Sequence, residues 1–245
     1  MMKFKSLLFM TGLVCFCVVN VMRMPTARAA DVPRYVAFEF NPLAPIAAAR
    51  ANATGNSVSM WDFGVDFNVA GKFCTGPEIW LGNFSISSEA QNEAERIRRE
   101  DFQYTERQKL DATKINWNVS FFESGYAMRG WFVRAGYSYT KVNSKANRFY
   151  ESQYGLDNAE NVQSIVTDYR HGIYGSFGQR WHFWDHKASL TIGISYTHNF
   201  KRDINTESID EDAEKDYLTL IEQIPDTRLS AKPMPTADLR LGFLF

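Results

Sequence analysis

Between about Lys109 and Asn143 the chain alternates apolar and polar residues almost without a break. Ile115, Trp117, Val119 and Phe121 interleave with Lys114, Asn116, Asn118 and Ser120. After a turn at 123–129, Trp131, Val133, Ala135, Tyr137 and Tyr139 interleave with Phe132, Arg134, Gly136, Ser138 and Thr140. Successive strand side chains point to opposite faces, so each stretch reads as a strand with one apolar and one polar face. The same period recurs elsewhere. At 58–68, Trp61, Phe63, Val65 and Phe67 oppose Met60, Asp62, Gly64 and Asp66. At 187–200, Leu190, Ile192, Ile194 and Tyr196 oppose Ser189, Thr191, Gly193, Ser195 and Thr197. At 34–41, Val36, Phe38 and Phe40 oppose Tyr35, Ala37, Glu39 and Asn41. The last residues set Leu239, Leu241, Phe243 and Phe245 against Asp238, Arg240 and Gly242. Segments at about 73–86 and 162–183 bring the count to eight. In the first of these, Pro77 and Trp80 blur the phase; Ile79 and Leu81 are assigned to the apolar face and Glu78 to the polar one.

Connections between these strands alternate in length. Those at 69–72, 123–129 and 184–185 are short, and the others are long. Pro42 and Pro45 bend or end the first strand, because proline cannot donate to a ladder, and 47–56 reads as a small, polar loop turning at Gly55-Asn56. The stretch 87–109 is charged: Ser88-x-x-Gln91 caps a short helix over 92–99 that carries Arg96, Arg98 and Arg99. A second polar loop covers 145–161. The longest, 201–235, is acidic, and Ser208-x-x-Glu211 caps a helix with Tyr217, Leu220, Ile221 and Ile224 on one side, predicted to cover the mouth of the sheet.

The first residues explain where such a chain goes. Lys3 and Lys5 precede an apolar run from Leu7 to Met22, and Ala27-Arg28-Ala29 follows. Positive, apolar, then small-x-small is a secretory signal, expected to be cut after Ala29, leaving 30–245 as one domain. Cys15 and Cys17 leave with it, so Cys74 is left without a disulfide partner. Loss of Lys3, Lys5, Arg23 and Arg28 leaves 23 basic against 28 acidic residues, a net charge of −5. An exported acidic chain without a Gly-rich phosphate loop points away from nucleic acid. No segment of 30–245 has the roughly 18–20 consecutive apolar residues of a spanning helix, yet 15% of the whole chain is aromatic.

Strands with an apolar outside and a polar inside cross a membrane only as a closed barrel, since an open edge in hydrocarbon leaves N–H and C=O groups unpaired. The fold expected is therefore all-β, a closed antiparallel eight-stranded up-and-down transmembrane β-barrel, with both termini on the short-turn side. Trp131, Trp181 and Trp184 lie near the short turns, where an interfacial aromatic belt belongs. The signal segment, the alternating strands and Phe245 together resemble the small OmpA/OmpX-type outer-membrane barrels of Gram-negative bacteria, over essentially all of 30–245. The resemblance implies localisation in the outer membrane after passage through the periplasm. It also implies that Leu239, Leu241, Phe243 and Phe245 form the signature read by the barrel-assembly machinery.

Eight strands enclose a lumen that side chains fill. The inward set is charged: Glu39, Asp62, Asp66 and Glu78 against Lys114, Arg134, Arg170 and Arg240, with Arg240 and Glu39 expected as partners across the seam. Buried charges must be paired or neutralised, so an interior salt-bridge network is predicted. Lipid A deacylases share this architecture and carry a His-x-Ser pair on a late strand. Here Ser195-Tyr-Thr-His198-Asn-Phe200 has Phe200 where the nucleophile belongs. Palmitoyltransferase-type barrels begin with an amphipathic helix, for which Asp31-Val-Pro33 leaves no room. His182 and His186 flank the 184–185 turn as solvated side chains, and a two-residue turn there sets His171 opposite His198 on the outer face. The sequence thus predicts no catalytic, metal or cofactor site. It predicts a structural or surface-interaction barrel that contacts outer-membrane lipid and lipopolysaccharide and meets an unidentified extracellular ligand through its long loops. A lipid A-modifying enzyme and a narrow solute conduit are the alternatives.

Overall fold

The computed structural model describes residues 35–52, 57–87, 102–124, 128–152, 160–207, 213–223 and 235–245. The predicted signal segment, the basic helix over 92–99, the turn at Gly55-Asn56, the Ser208 cap and Ile224 lie outside them. Eight strands follow one another around a closed ring: β1 (Val36–Phe40), β2 (Ser57–Ala70), β3 (Phe73–Ser87), β4 (Phe102–Phe122), β5 (Gly130–Ser152), β6 (Glu160–Phe183), β7 (Ala188–Glu207) and β8 (Pro235–Leu244). Every neighbour is antiparallel, and β1 closes the ring by pairing with both β2 and β8. At that seam the Phe245 amide donates to Val36 O at 2.9 Å, and the Tyr35 amide donates to Phe245 O at 2.9 Å. Across this seam Ala37–Phe40 pair with Leu241–Leu244.

Two helices stand at the long-connection end: α1 (Leu43–Asn52) and α2 (Ala213–Gln223). α1 corrects the loop expected over 47–56. Asn41 ends β1 and turns its Oδ1 to accept from the Leu43 amide at 2.9 Å, satisfying a first-turn donor. Pro45 sits in the first turn, where its missing N–H costs nothing, and Ala44, Ala47, Ala48 and Ala49 are strong helix formers. In α2, Ala213, Tyr217 and Ile221 repeat every four residues and are buried, in agreement with the expected stripe at Tyr217 and Ile221.

The segments expected as loops at 102–109, 145–152 and 201–207 are strand. β4 to β7 run 20 to 24 residues each, about twice the 9–11 needed to cross a bilayer. Their alternation continues, but its sense inverts. On β5 the outward residues Trp131, Val133, Tyr137 and Tyr139 give way to Lys141, Asn143 and Lys145, while the inward residues change from Arg134, Ser138 and Thr140 to Val142 and Ala146. On β4, Lys109 and Asp111 face out above Ile115, and Leu110 and Ala112 face in above Lys114. On β2, Ser57 and Ser59 face out above Trp61, with Val58 and Met60 inward above Asp62. The inward side chains of this upper part form one apolar cluster with α1 and α2, built on Met60, Trp80, Phe84, Leu110, Val142, Val166, Ala48, Tyr217 and Ile221. The inward Trp80 thereby resolves the phase of β3. Trp80 and Phe84 lean together over Gly82, where a Cβ would lie 2.5 Å from the Trp80 ring.

A smaller apolar cluster, Ala37, Cys74, Phe122, Met128, Phe132 and Leu244, closes the short-turn end. The turns there correct one register. Gly71 (φ 55°) and Lys72 join β2 to β3 as expected. The β6–β7 connection, however, is Trp184–Lys187, not two residues: Trp184, Asp185 and His186 all take positive φ, and the Lys187 amide donates to Trp184 O at 3.0 Å. Pairing therefore slips by two. Phe183 faces Ala188, Trp181 faces Leu190, and Ile173 rather than His171 faces His198. A slip of two keeps every side chain on its expected face. His171 instead faces Lys201, because Phe200 is an extra residue opposite the His171/Gly172 step. That bulge flips the phase above it and turns Arg202 and Ile204 inward.

Cysteine pairs test this register in a Cys74→Ser background. Ile173→Cys with His198→Cys should crosslink under mild oxidation, since direct partners meet the Cα spacing of a disulfide. His171→Cys with His198→Cys should stay reduced; efficient crosslinking of that second pair would restore the two-residue turn.

Candidate functional site

Between the two apolar clusters lies a layer of buried charge. Glu39 projects from β1 between Gly64 and Gly242, its register partners on either side, which leave its side chain room to extend. Arg134 reaches across from β5 and bonds three carboxylates: Asp66 at 2.7 Å, Glu78 at 2.8 Å and Glu39 at 3.3 Å. Arg180, from β6, meets Asp66 at 2.6 Å and Glu39 at 2.9 Å, and its Nε donates to Thr191 Oγ1 at 3.1 Å. Both guanidinium carbons also lie 4.6 Å from ring centroids of the floor beneath, Arg134 over Phe132 and Arg180 over Phe122. Arginine's planar fork suits this bridging of several carboxylates.

Arg240 does not pair with Glu39. It passes over Gly64, where a Cβ would lie 2.7 Å from its Nη1, to reach Glu78 at 3.1 Å and Asp62 at 3.6 Å. The stagger of the strands explains this, because Gly242 and not Arg240 is the register partner of Glu39. Asn116 donates to Glu78 at 3.3 Å and Asn41 to Asp62 at 3.2 Å, so the cap of α1 is tied to the charge layer. Lys114 donates to Thr197 Oγ1 at 2.8 Å on the far side of a small polar cavity shared with Trp80, Tyr174, Asp238 and Arg240. Its volume, about 20 Å³ for water-sized molecules, holds about one water.

Arg170 stands apart from this layer. It belongs to a second buried cluster under α2, centred on Asp168. Arg170 donates to Asp168 at 2.6 and 2.9 Å, Arg202 at 2.7 Å, and the Tyr217 hydroxyl at 2.8 Å. Burial and the neighbouring Asp168 carboxylate hold the Tyr217 hydroxyl above the usual phenol range, so it stays a donor. This cluster fastens α2 to β6 and β7. Sequence reasoning misses Arg202, because 201–235 reads as loop, and it leaves out Asp168 and Arg180, whose inward phase is legible on β6.

Other candidate chemistry does not converge. Ser195 is inward and donates to Thr236 O at 3.4 Å, whereas His198 is exposed. The His182 and His186 rings meet edge to face at 5.8 Å between centroids. Among the described residues no group of three or more His, Cys, Asp or Glu is placed to hold a metal. The outer face carries Trp61, Phe67, Phe73, Trp117, Val119, Phe121, Trp131, Val133, Ile173, Phe177, Ile194, Phe243 and Phe245, each more than two-fifths exposed.

No protein-family model matches the sequence, and no curated protein does. Among solved structures the chain is similar to CarO of Acinetobacter baumannii, at 10% identity over 87% of this chain and 98% of that one, with a TM-score of 0.41. It is similar to CarO2 of the same organism, at 12% identity over 87% and 99%, with a TM-score of 0.43. It is also similar to a major outer membrane protein of Thermus thermophilus, at 9% identity over 86% and 99%, with a TM-score of 0.35. Likenesses this distant transfer no residue roles.

Removing Arg180 leaves Glu39 and Asp66 short of a counter-charge. Arg180→Ala should cost about 3–5 kcal/mol, as for one member of a buried ion pair. Lys201→Ala breaks the exposed 3.0 Å pair with Asp203 and should cost about 0–1 kcal/mol. Urea midpoints measured in one detergent give the comparison, and equal midpoints would show the layer to be energetically idle.

Proposed function

We propose that the protein is an integral outer-membrane β-barrel that works as a non-enzymatic structural or surface-interaction protein. The observation that carries this reading is the inversion of the alternation partway along β2 to β5. Below it, aromatic and aliphatic side chains face outward and charges face inward. Above it, Lys, Asp, Ser and Asn face outward over an interior of apolar side chains and the buried Asp168 cluster. A soluble protein does not leave a continuous apolar belt of this size uncovered. A bilayer covers that belt and ends where the inversion begins. The apolar stretch of β5 from Trp131 to Tyr139 has the length expected of a crossing strand.

The long upper walls of β4 to β7, capped by α1 and α2, then stand clear of the membrane on the outside and offer the surface for an extracellular ligand. Described side chains fill the lumen with two apolar clusters and a paired charge layer, which favours a structural role over conduction. In this reading Leu239, Leu241, Phe243 and Phe245 present the lipid-facing edge of the closing strand to the barrel-assembly machinery. The separation of Ser195 from His198 gives no support to lipid A hydrolysis.

Arginine substitutions on the outer face test the reading. A cation at mid-bilayer costs a barrel about 2–4 kcal/mol, and near the interface about 0–1 kcal/mol. Val119→Arg should therefore deplete the heat-modifiable, outer-membrane form in fractionated cells, while Asn143→Arg should leave it intact. Equal recovery of both variants would remove the bilayer from the account.

A further inference from the structure

Among the described residues, the outer wall above the inversion carries its cations on β4 to β7. Lys109 and Lys145 are direct register partners on β4 and β5, both exposed on the outward face. Lys141 lies on the same face of β5, nearer the membrane band, and Lys201 lies beside His171 on β6. At the height of Lys109, β2 and β3 present only Ser57 and Ser85. Like charges directly opposed across two strands are destabilising. On that face Asp111 accepts from Asn83 and Asp203 pairs with Lys201, while Glu207 lies across Ile165 from Lys145. The Lys109–Lys145 pair is therefore a place that gains from an external anion.

Further down the same face, at the level of Lys141 and below it, is a shelf of rings. Tyr139 stands 5.4 Å from His171 and 6.5 Å from Tyr169 between centroids, the Tyr137 hydroxyl is hydrogen-bonded to His171 Nδ1, and Lys141 Nζ lies 5.5 Å over the Tyr169 ring. We propose that this face of β4 to β7 is a docking site for the phosphorylated sugar headgroup of an outer-leaflet glycolipid of the lipid A type. The acyl chains lie against the band formed by Ile115, Tyr137 and Ile173. The sugar rings rest on the tyrosine shelf, and the phosphates are taken by Lys109, Lys141 and Lys145. Along a strand rising about 3.3 Å per residue and tilted about 40°, Lys145 stands about 10 Å above Lys141, a spread that suits a headgroup carrying more than one phosphate. The site rests on the outer-membrane reading and adds to it a specific lipid partner with a fixed position on the wall.

The test uses full-length barrel refolded in a non-ionic detergent. Heat-modifiable migration and vesicle insertion are read first, then retained lipid by native mass spectrometry after addition of lipid A, phosphatidylglycerol or inorganic phosphate. The native barrel should retain lipid A in preference to the other two. K109Q/K145Q should lose about tenfold in lipid A affinity, the loss expected for one or two charge-assisted contacts. K72Q/K187Q removes the same charge at the opposite end and should bind as the native protein does. Native-like binding by K109Q/K145Q, or equal retention of phosphatidylglycerol or inorganic phosphate, would overturn the site while leaving the barrel assignment standing. Failure of the native protein to enter vesicles would overturn both.

Discussion

A single guanidinium, that of Arg134, holds carboxylates from three strands on the opposite side of the lumen. Charges taken out of water in this way are tolerable only when their partners are held in place, because desolvation costs several kcal/mol per ion. The rest of the barrel supplies that constraint. Gly64 and Gly242 make room for Glu39, Phe132 and Phe122 form a floor beneath Arg134 and Arg180, and Asn41 ties Asp62 to the cap of α1. Arg240 shares Glu78 with Arg134, so the contacts form one network rather than separate pairs. A closed ring with apolar clusters at both ends leaves beside the layer only a small cavity, with room for about one water.

The same physics accounts for how much of the fold can be read in the sequence. Where the outside is apolar, between Trp131 and Tyr139 for example, strict alternation gives face, strand and barrel directly. Beyond Tyr139 the alternation persists with its sense reversed, as Lys141, Val142, Asn143, Ser144, Lys145 and Ala146 illustrate. A search for apolar-outward strands reads that segment as a loop, although period two is still present. What changes there is the solvent on each face. Water lies outside, and the buried faces of α1 and α2 lie inside. α1 is hidden for a different reason: two prolines signal a break, and only the run of alanines behind them argues for a helix.

The charge layer is partly legible. Alternation alone puts Glu39, Asp62, Asp66, Glu78, Lys114, Arg134 and Arg240 inward, and all are buried. Partner choice is not legible, because it depends on stagger and on which inward neighbours are glycine. Turn geometry is the other hidden variable. Three consecutive positive-φ residues at Trp184, Asp185 and His186, none of them glycine, are unusual enough that no turn signal anticipates them. The bulge at Phe200 is equally silent in sequence, yet it turns Arg202 toward Asp168 and so fastens α2.

The coupling between Arg134 and Glu78 bears most directly on the central place of this layer. A double-mutant cycle with Arg134→Met and Glu78→Gln, read as unfolding free energy in one detergent, isolates it from each side chain's other contacts. Residues sharing one ion-pair network couple by about 0.5–3 kcal/mol, so the double variant should be more stable by that amount than the two single losses added together. Losses that simply add, within about 0.3–0.5 kcal/mol, would mean that the two groups act independently and that the barrel does not depend on the layer they share.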